Sequence, residues 1–263
     1  MKTKIKAFFR RILNWIKRNK IKSSIAFLLL IGYYFCLPRT LFEEPYSTVI
    51  ESKEGELLGA KIARDGQWRF PASDSVPDKF KKCIVYFEDQ YFYEHPGFNP
   101  VAMFNAIRQN QKAGKVVRGG STLTQQVIRL SRKGKSRTYF EKIIEIVLST
   151  RLEFRHSKDK ILELYAGHAP FGGNVVGLEM ASWRYFGVQS HQLSWAETAT
   201  LAVLPNAPSL IYPGKNQEKL RLKRDALLLK LKQEGIIDQQ TYELSIAEPL
   251  PQKPFDLPQI APH

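Results

Sequence analysis

Apolar positions recur at helical spacing through most of the chain's second half and middle. They predict helices at 78–88, 99–112, 121–132, 137–154, 157–166, 176–186, 194–203 and 216–233. The breaks fall at Gly114, Gly134, Gly167–Gly173, Gly187 and the stretch Pro205–Pro213. Ser75 and Pro77 mark the first helix start. Residues 46–70 read differently: the β-like runs Ser47–Glu51 and Leu57–Ile62 flank Lys53-Glu54-Gly55, and Arg64-Asp65-Gly66 follows. That pattern predicts a small hairpin or pedestal. No internal repeat is present.

Two further patterns precede the pedestal. Residues 5–16 place Ile5, Phe8, Phe9, Ile12, Leu13 and Ile16 on one helical face, with basic residues opposite, as in a membrane-surface helix. Ser23–Leu37 is an apolar run of 15 residues, shorter than the roughly 20 that span a bilayer comfortably. Trp15, Ile21, Leu41 and Phe42 extend the apolar length, and Arg39 can snorkel. A cleaved signal peptide is the competing reading, but no small-x-small site follows. The reading is an uncleaved signal anchor. At the other end, five prolines in fifteen residues (249–263) predict a linker or extended tail.

The net charge of +15 is unevenly spread: nine Lys or Arg fall in residues 1–22, and no acid appears before Glu43. Because the basic block abuts the apolar run, it points to a membrane surface rather than to nucleic acid. The positive-inside rule then places the N-terminus in the cytoplasm and the remainder outside. The two cysteines, Cys36 and Cys83, are poor disulfide candidates. Scattered histidines exclude zinc-type spacing.

The chemistry centres on Phe87-Glu88-Asp89-Gln90-Tyr91-Phe92-Tyr93-Glu94-His95-Pro96-Gly97, where an apolar helix breaks into an aromatic loop. A carboxylate against apolar walls is tunable as a proton acceptor. Two acids solvating a helix end is the plainer alternative. Gly119-Gly120-Ser121-Thr122-Leu123-Thr124-Gln125-Gln126 sets a double glycine before hydroxyls and amides, a cradle for phosphate or sugar oxygens or simply a helix cap. Arg137, Glu141 and Glu145 share a helix face with Lys142 nearby, which alone reads as a salt-bridged surface. The run Ser157–Tyr165, closed by Ala169-Pro170-Phe171-Gly172-Gly173-Asn174, and the scaffold from Ala181 to Pro208 complete the set.

Five such stretches, in this order, resemble the peptidoglycan glycosyltransferases of family 51, the transglycosylase domain of class A penicillin-binding proteins. Asp65–Pro71, Ala169–Asn174, Ala202–Ser209 and Ala261-Pro262-His263 are most similar to the penicillin-binding protein 1C branch. In that branch a transpeptidase domain follows. The resemblance implies a mostly α fold: a lysozyme-like domain with a small second lobe, a short β pedestal and an N-terminal transmembrane helix. The layout is then a basic amphipathic segment (1–22), the anchor (23–42), the pedestal (43–71), the glycosyltransferase domain (72–235) and a Pro-rich tail (236–263).

The implied reaction polymerises lipid II into glycan strands, with inversion and release of undecaprenyl pyrophosphate. Glu88 matches the general base and Glu145 the second catalytic glutamate. Asp89, Ser121, Thr122, Gln125, Gln126, Arg129, Arg137 and Lys142 match substrate-binding positions. A divalent cation, magnesium or manganese, is the one cofactor the resemblance raises. Implied partners are lipid II, the growing strand, the membrane, and a separate transpeptidase or other cell-wall synthesis proteins, with no nucleic acid. The implied location is the cytoplasmic membrane, single-pass, with the catalytic domain outside. Glu141, Ile144 and Tyr165-Ala166-Gly167 depart from the family pattern. A Ser-x-x-Lys match at Ser157–Lys160 has no acyl-transfer companions. Two alternatives remain open here: a lysozyme-like glycan hydrolase or lytic transglycosylase, and a non-catalytic cell-wall scaffold.

Overall fold

The computed structural model describes residues 6, 10, 11, 14–71, 75–115, 119–133, 135 and 138–260. The chain divides into two compact units, Met1–Leu41 and Phe42–His263. In the first, helix α1 (Lys20–Phe35) has 16 residues and no buried side chain. At 1.5 Å per residue it is about 24 Å long, against a hydrocarbon core of about 30 Å. No helix among the described residues is long and apolar enough to cross a membrane. The difference from the anchor expected over 23–42 has a local cause. Pro38 cannot continue the helix and pushes Leu37 toward extended backbone, so the run ends at Phe35 and Leu41 adds no helical length. The amphipathic face expected over 5–16 lies mostly outside the described residues.

In the second unit, strands β1 (Thr48–Glu51) and β2 (Leu57–Lys61) pair antiparallel, with Thr48 opposite Lys61 and a bulge at Ile50/Glu51. Ser52 closes the turn: its Oγ accepts from the backbone N–H groups of Glu54 and Glu56. This is the expected hairpin. A second sheet was not legible: β3 (Trp68–Arg69) runs parallel to β5 (Val175–Val176), which pairs antiparallel with β4 (Pro170–Gly172). Strands of two or three residues leave no periodicity to read. They bind the segment before the helix that starts at Asp78 to the Gly172-Gly173 loop.

The helices are α2 (Asp78–Glu88), α3 (Pro100–Ala113), α4 (Leu123–Ser131), α5 (Tyr139–Arg155), α6 (Lys158–His168), α7 (Leu178–Phe186), α8 (Trp195–Val203), α9 (Gln217–Gln233) and α10 (Gln239–Ala247). Helix α8 is central, with every residue from Thr198 to Val203 buried. Ala196, Ala199 and Ala202 let neighbours approach closely. Its two buried threonines satisfy themselves by donating to the carbonyls of Ser194 and Ala196. A capping box starts it: Ser194 Oγ accepts from the Glu197 N–H, and the Glu197 carboxylate accepts from the Ser194 N–H. Helices α2 and α9 pack on α8, and α9 buries Leu220, Leu227, Leu228 and Leu231 at helical spacing. A second group is built from α4 with α5 and α6.

The stretch read as a Pro-rich tail (236–263) opens with helix α10 and then runs extended through its described residues. Asp238 caps α10, accepting from the Thr241 N–H at 2.7 Å. Buried Arg224 of α9 donates to the Glu248 carbonyl at 2.7 Å. Beyond it the chain returns along the domain: Phe255 N–H donates to the Arg184 carbonyl at 2.7 Å, and Ile260 N–H donates to the Leu58 carbonyl at 2.8 Å. Prolines keep this stretch extended and thin out its backbone donors, which suits a segment laid across a surface.

Candidate active site

Helix α2 ends at Glu88, half-buried as the last helical residue. Gln126 Nε2 on α4 donates to Glu88 Oε2 at 2.8 Å. Glu88 Oε1 is buried with no hydrogen-bond partner among the described residues. Burial pushes this carboxyl above its ordinary range. The Gln126 amide, the Lys223 charge and the Asn206 side chain pull the other way, and the neighbouring Asp89 charge adds to the rise.

Asp89 turns away from Glu88 and is 8% exposed. His95 Nε2 donates to its carboxylate at 3.0 Å from either oxygen, and the Leu123 N–H donates to Oδ2 at 3.0 Å. The loop 89–97 is thereby clamped to the start of α4. Lys158 adds a third tie, donating to the His95 carbonyl at 2.7 Å and lying 4.4 Å from the centre of the buried Phe92 ring. Gly97 closes the loop at φ +95°, where a Cβ would lie 2.7 Å from the Ser149 carbonyl. Its own carbonyl accepts from Thr122 Oγ1 at 2.7 Å.

The second half of the site spans α4 and α5. Gln125 and Arg129 share one face of α4, and Gln126 lies about 100° round it toward Glu88. Arg129 grips Glu145 with two bonds, Nε to Oε1 at 2.7 Å and Nη2 to Oε2 at 2.9 Å. Arg129 Nη2 also donates to Ser121 Oγ at 3.0 Å. Lys142 Nζ donates to Ser121 Oγ (2.9 Å), Gln125 Oε1 (2.6 Å) and Glu145 Oε2 (3.3 Å). Burial alone would raise the Glu145 carboxyl, but the bonds and charges of Arg129 and Lys142 hold it below its ordinary value. The two glutamates are therefore pushed in opposite directions.

This network floors a cleft of about 740 Å³, rimmed further by Arg132, Lys133, Lys135, Thr138, Tyr139 and Glu141. Five cations line it against two carboxylates. A family model described as Transglycosylase matches residues 55–232, more than half of the chain. The chain belongs to the transglycosylase family.

Its relatives are penicillin-binding proteins. Penicillin-binding protein 1C of Escherichia coli (strain K12) is 36% identical over 226 residues, covering 86% of this chain and 29% of that protein. Penicillin-binding protein 1A/1B of Bacillus subtilis (strain 168) is 33% identical, covering 84% of this chain and 24% of the relative. The chain thus spans about a quarter to a third of the length of these curated relatives. A crystal structure of penicillin-binding protein 1A from Haemophilus influenzae aligns with 80% of this chain and 21% of its own. That alignment has a TM-score of 0.45 at 20% identity.

Within this transglycosylase chain, Ser121, Gln125, Arg129, Lys142 and Glu145 come together in one network, and Gln126 joins Glu88. Two expected substrate contacts are engaged otherwise. Asp89 spends both oxygens on the loop clamp. Thr122 is 2% exposed and caps α4, its Oγ1 accepting from the Gln125 N–H at 3.1 Å. Both fit positioning roles better than substrate contact. Arg137 lies outside the described residues. Glu141 is held by Arg132 at 2.6 Å, and Ile144 is half-buried beside the cleft residues without lining the cleft.

Sequence reasoning missed Asn206, Lys223 and the basic rim Arg132-Lys133-Lys135. The rim was readable as a run of charge after α4. Lys223 was not, because it is one of six Lys or Arg on α9. The carboxylates do not fit a divalent cation as arranged: Glu145 faces the Arg129 guanidinium fork, and Glu141 is taken by Arg132 Nε. Among the described residues no three His, Cys, Asp or Glu side chains group as metal ligands.

Proposed function

We propose that the chain is a membrane-anchored peptidoglycan glycosyltransferase that polymerises lipid II. The observation that carries the reading is the division of labour between the glutamates. Glu88, pushed up by burial and with Oε1 unpartnered, suits a base that must take a proton during reaction. Glu145, held ionised by Arg129 and Lys142, suits a fixed charge that orients cations. Glu88 takes the proton of the acceptor sugar hydroxyl. The oxygen attacks the anomeric carbon of the donor, its configuration inverts, and the lipid pyrophosphate leaves toward Arg129, Lys142 and the basic rim. The lysozyme-like division into lobes belongs to the same proposal.

A glycan hydrolase accounts less well for the cleft, since hydrolysis releases no pyrophosphate for five cations to neutralise. Incubation with lipid II and gel separation of products tests the choice. A ladder of glycan polymers is expected; cleavage of preformed glycan without polymer would overturn the reading.

Anchoring rests on the basic block, the apolar helix α1 and the apolar side chains exposed on the catalytic unit. Val101, Phe104 and Ile107 on α3, and Tyr139, Phe140, Ile143, Val147 and Phe154 on α5, are all exposed. Such surface suits a substrate whose tail stays in the bilayer. In spheroplasts, added protease should cut the hairpin Thr48–Lys61 and spare residues 1–22. The reverse pattern would put the cleft on the wrong side for glycan assembly. The family's separate transpeptidase partners are part of this reading too.

A further inference from the structure

Glu88 has neighbours that α4 does not supply. Lys223, in the second turn of α9, lies beneath the end of α2, with Nζ 6.0 Å from the centre of the Phe87 ring. Its ammonium donates to Asn206 Oδ1 at 2.6 Å. An ammonium can only donate, so the Asn206 oxygen must face Lys223 and its NH₂ group is left for another acceptor. Asn206 and Lys223 both act on Glu88, and Lys223 is the cation that does so. The residues thus form a line from α9, through the loop after α8, to the carboxylate at the end of α2.

We propose that Lys223, acting through Asn206, is a positioning residue for Glu88: it holds the carboxylate aimed, with Oε1 left for the substrate hydroxyl. The inference rests on Glu88 being the base. A base buried at a helix end faces a difficulty, because the burial that makes it basic also favours its protonated form. Gln126 supplies one neutral hydrogen bond. The other ionisable groups facing Glu88 work against its charge or leave it unbalanced. Asp89 adds a second negative charge, and buried Tyr165, from α6, has a hydroxyl with no hydrogen-bond partner among the described residues, which Glu88 makes harder to ionise. Lys223 opposes these. Its own charge is disfavoured by burial and by Lys219 one turn back, and favoured by Glu88, so the two groups support one another.

The role separates from phosphate binding by place and by pH. Lys223 is not among the residues that rim the basic cleft. The measurement is kcat/KM for lipid II polymerisation against pH, which reports the free enzyme's base. It is made on the whole chain as wild type, Lys223→Met, Lys223→Arg and Lys219→Gln. Removing the cation raises the proton affinity of Glu88, so in Lys223→Met the acid limb moves to higher pH. Activity should fall about tenfold below the limb and return to the wild-type level above it. Arginine should restore the profile, and Lys219→Gln, an equal charge lost one turn away, should leave it in place. If Lys223→Met loses activity equally at every pH, or loses none, the inference is overturned. Should that variant melt early, Asn206→Ala, at an exposed position, carries the same test by cutting the line at its middle. Glu88→Gln keeps the two readings apart. If it is inactive while the Lys223 profiles coincide with wild type, only this inference falls; if it polymerises normally, the assignment of the base falls and takes this one with it.

Discussion

Glu88→Gln is expected to abolish polymerisation while the fold stays intact or gains stability. The amide has the shape of the carboxylate and can still accept the Gln126 hydrogen bond, so α2 and α4 keep their contact. It cannot take a proton, and general-base catalysis contributes about 10²–10⁴-fold to such a reaction. The stability effect has a defined sign. Glu88 has a folded-state pKa raised above its unfolded value, so its contribution is fully present below the unfolded pKa and is lost as pH rises through the folded one. Glutamine does not titrate, so the variant's melting temperature should exceed the wild type's at neutral and alkaline pH and converge with it in acid. Polymer formation within tenfold of wild type, at wild-type folding, would remove Glu88 from the chemistry.

That stability test exposes what a sequence can and cannot carry. The break after Glu88 was legible because an apolar helix runs into aromatics and Pro96-Gly97. Helix positions were legible because the leucines of α9 and the alanines of α8 keep a helical period. The starts of α4 and α5 fell two residues later than expected, at Leu123 and Tyr139, because Thr122 and Thr138 cap their helices from outside. The partners of a side chain were harder to read. Asp89 and Leu123 are 34 residues apart, and Glu88 and Gln126 are 38 apart. Nothing local says which acid of the Glu-Asp pair meets Gln126 and which is clamped by His95 and the Leu123 N–H. The contacts of the tail were hidden for a related reason: prolines remove ladder donors, as in a linker, while the carbonyls of Pro251 and Phe255 accept from the distant Gln217 and Arg184.

Glu145→Gln is expected to be as damaging to turnover as the loss of the base, through an opposite electrostatic effect. The Glu145 carboxylate fixes the guanidinium of Arg129 by two bonds and the ammonium of Lys142 by one, at 2.7, 2.9 and 3.3 Å. An amide carries no charge and cannot offset the repulsion between two cations, and its NH₂ group faces a donor, so both lose their aim. Misplacing donors that meet a developing charge costs about 10²–10³-fold in kcat. Arg129→Met should be worse for folding than Glu145→Gln, because it leaves a buried charge with one long contact instead of removing that charge. The destabilisation should be about 1–3 kcal/mol, below that of a fully buried pair since Arg129 keeps 32% of its side chain exposed. Removing both groups should recover part of that loss, which a double-mutant cycle on thermal stability measures. The pH dependence is also reversed from that of Glu88. Glu145 has a depressed folded-state pKa, so its stabilisation is present above the unfolded pKa and is lost as pH falls through the folded one. Glu145→Gln should therefore melt below wild type at neutral pH and meet it in acid. Turnover at the wild-type rate in Glu145→Gln would move the pyrophosphate contacts to the Arg132–Glu141 pair on the same rim.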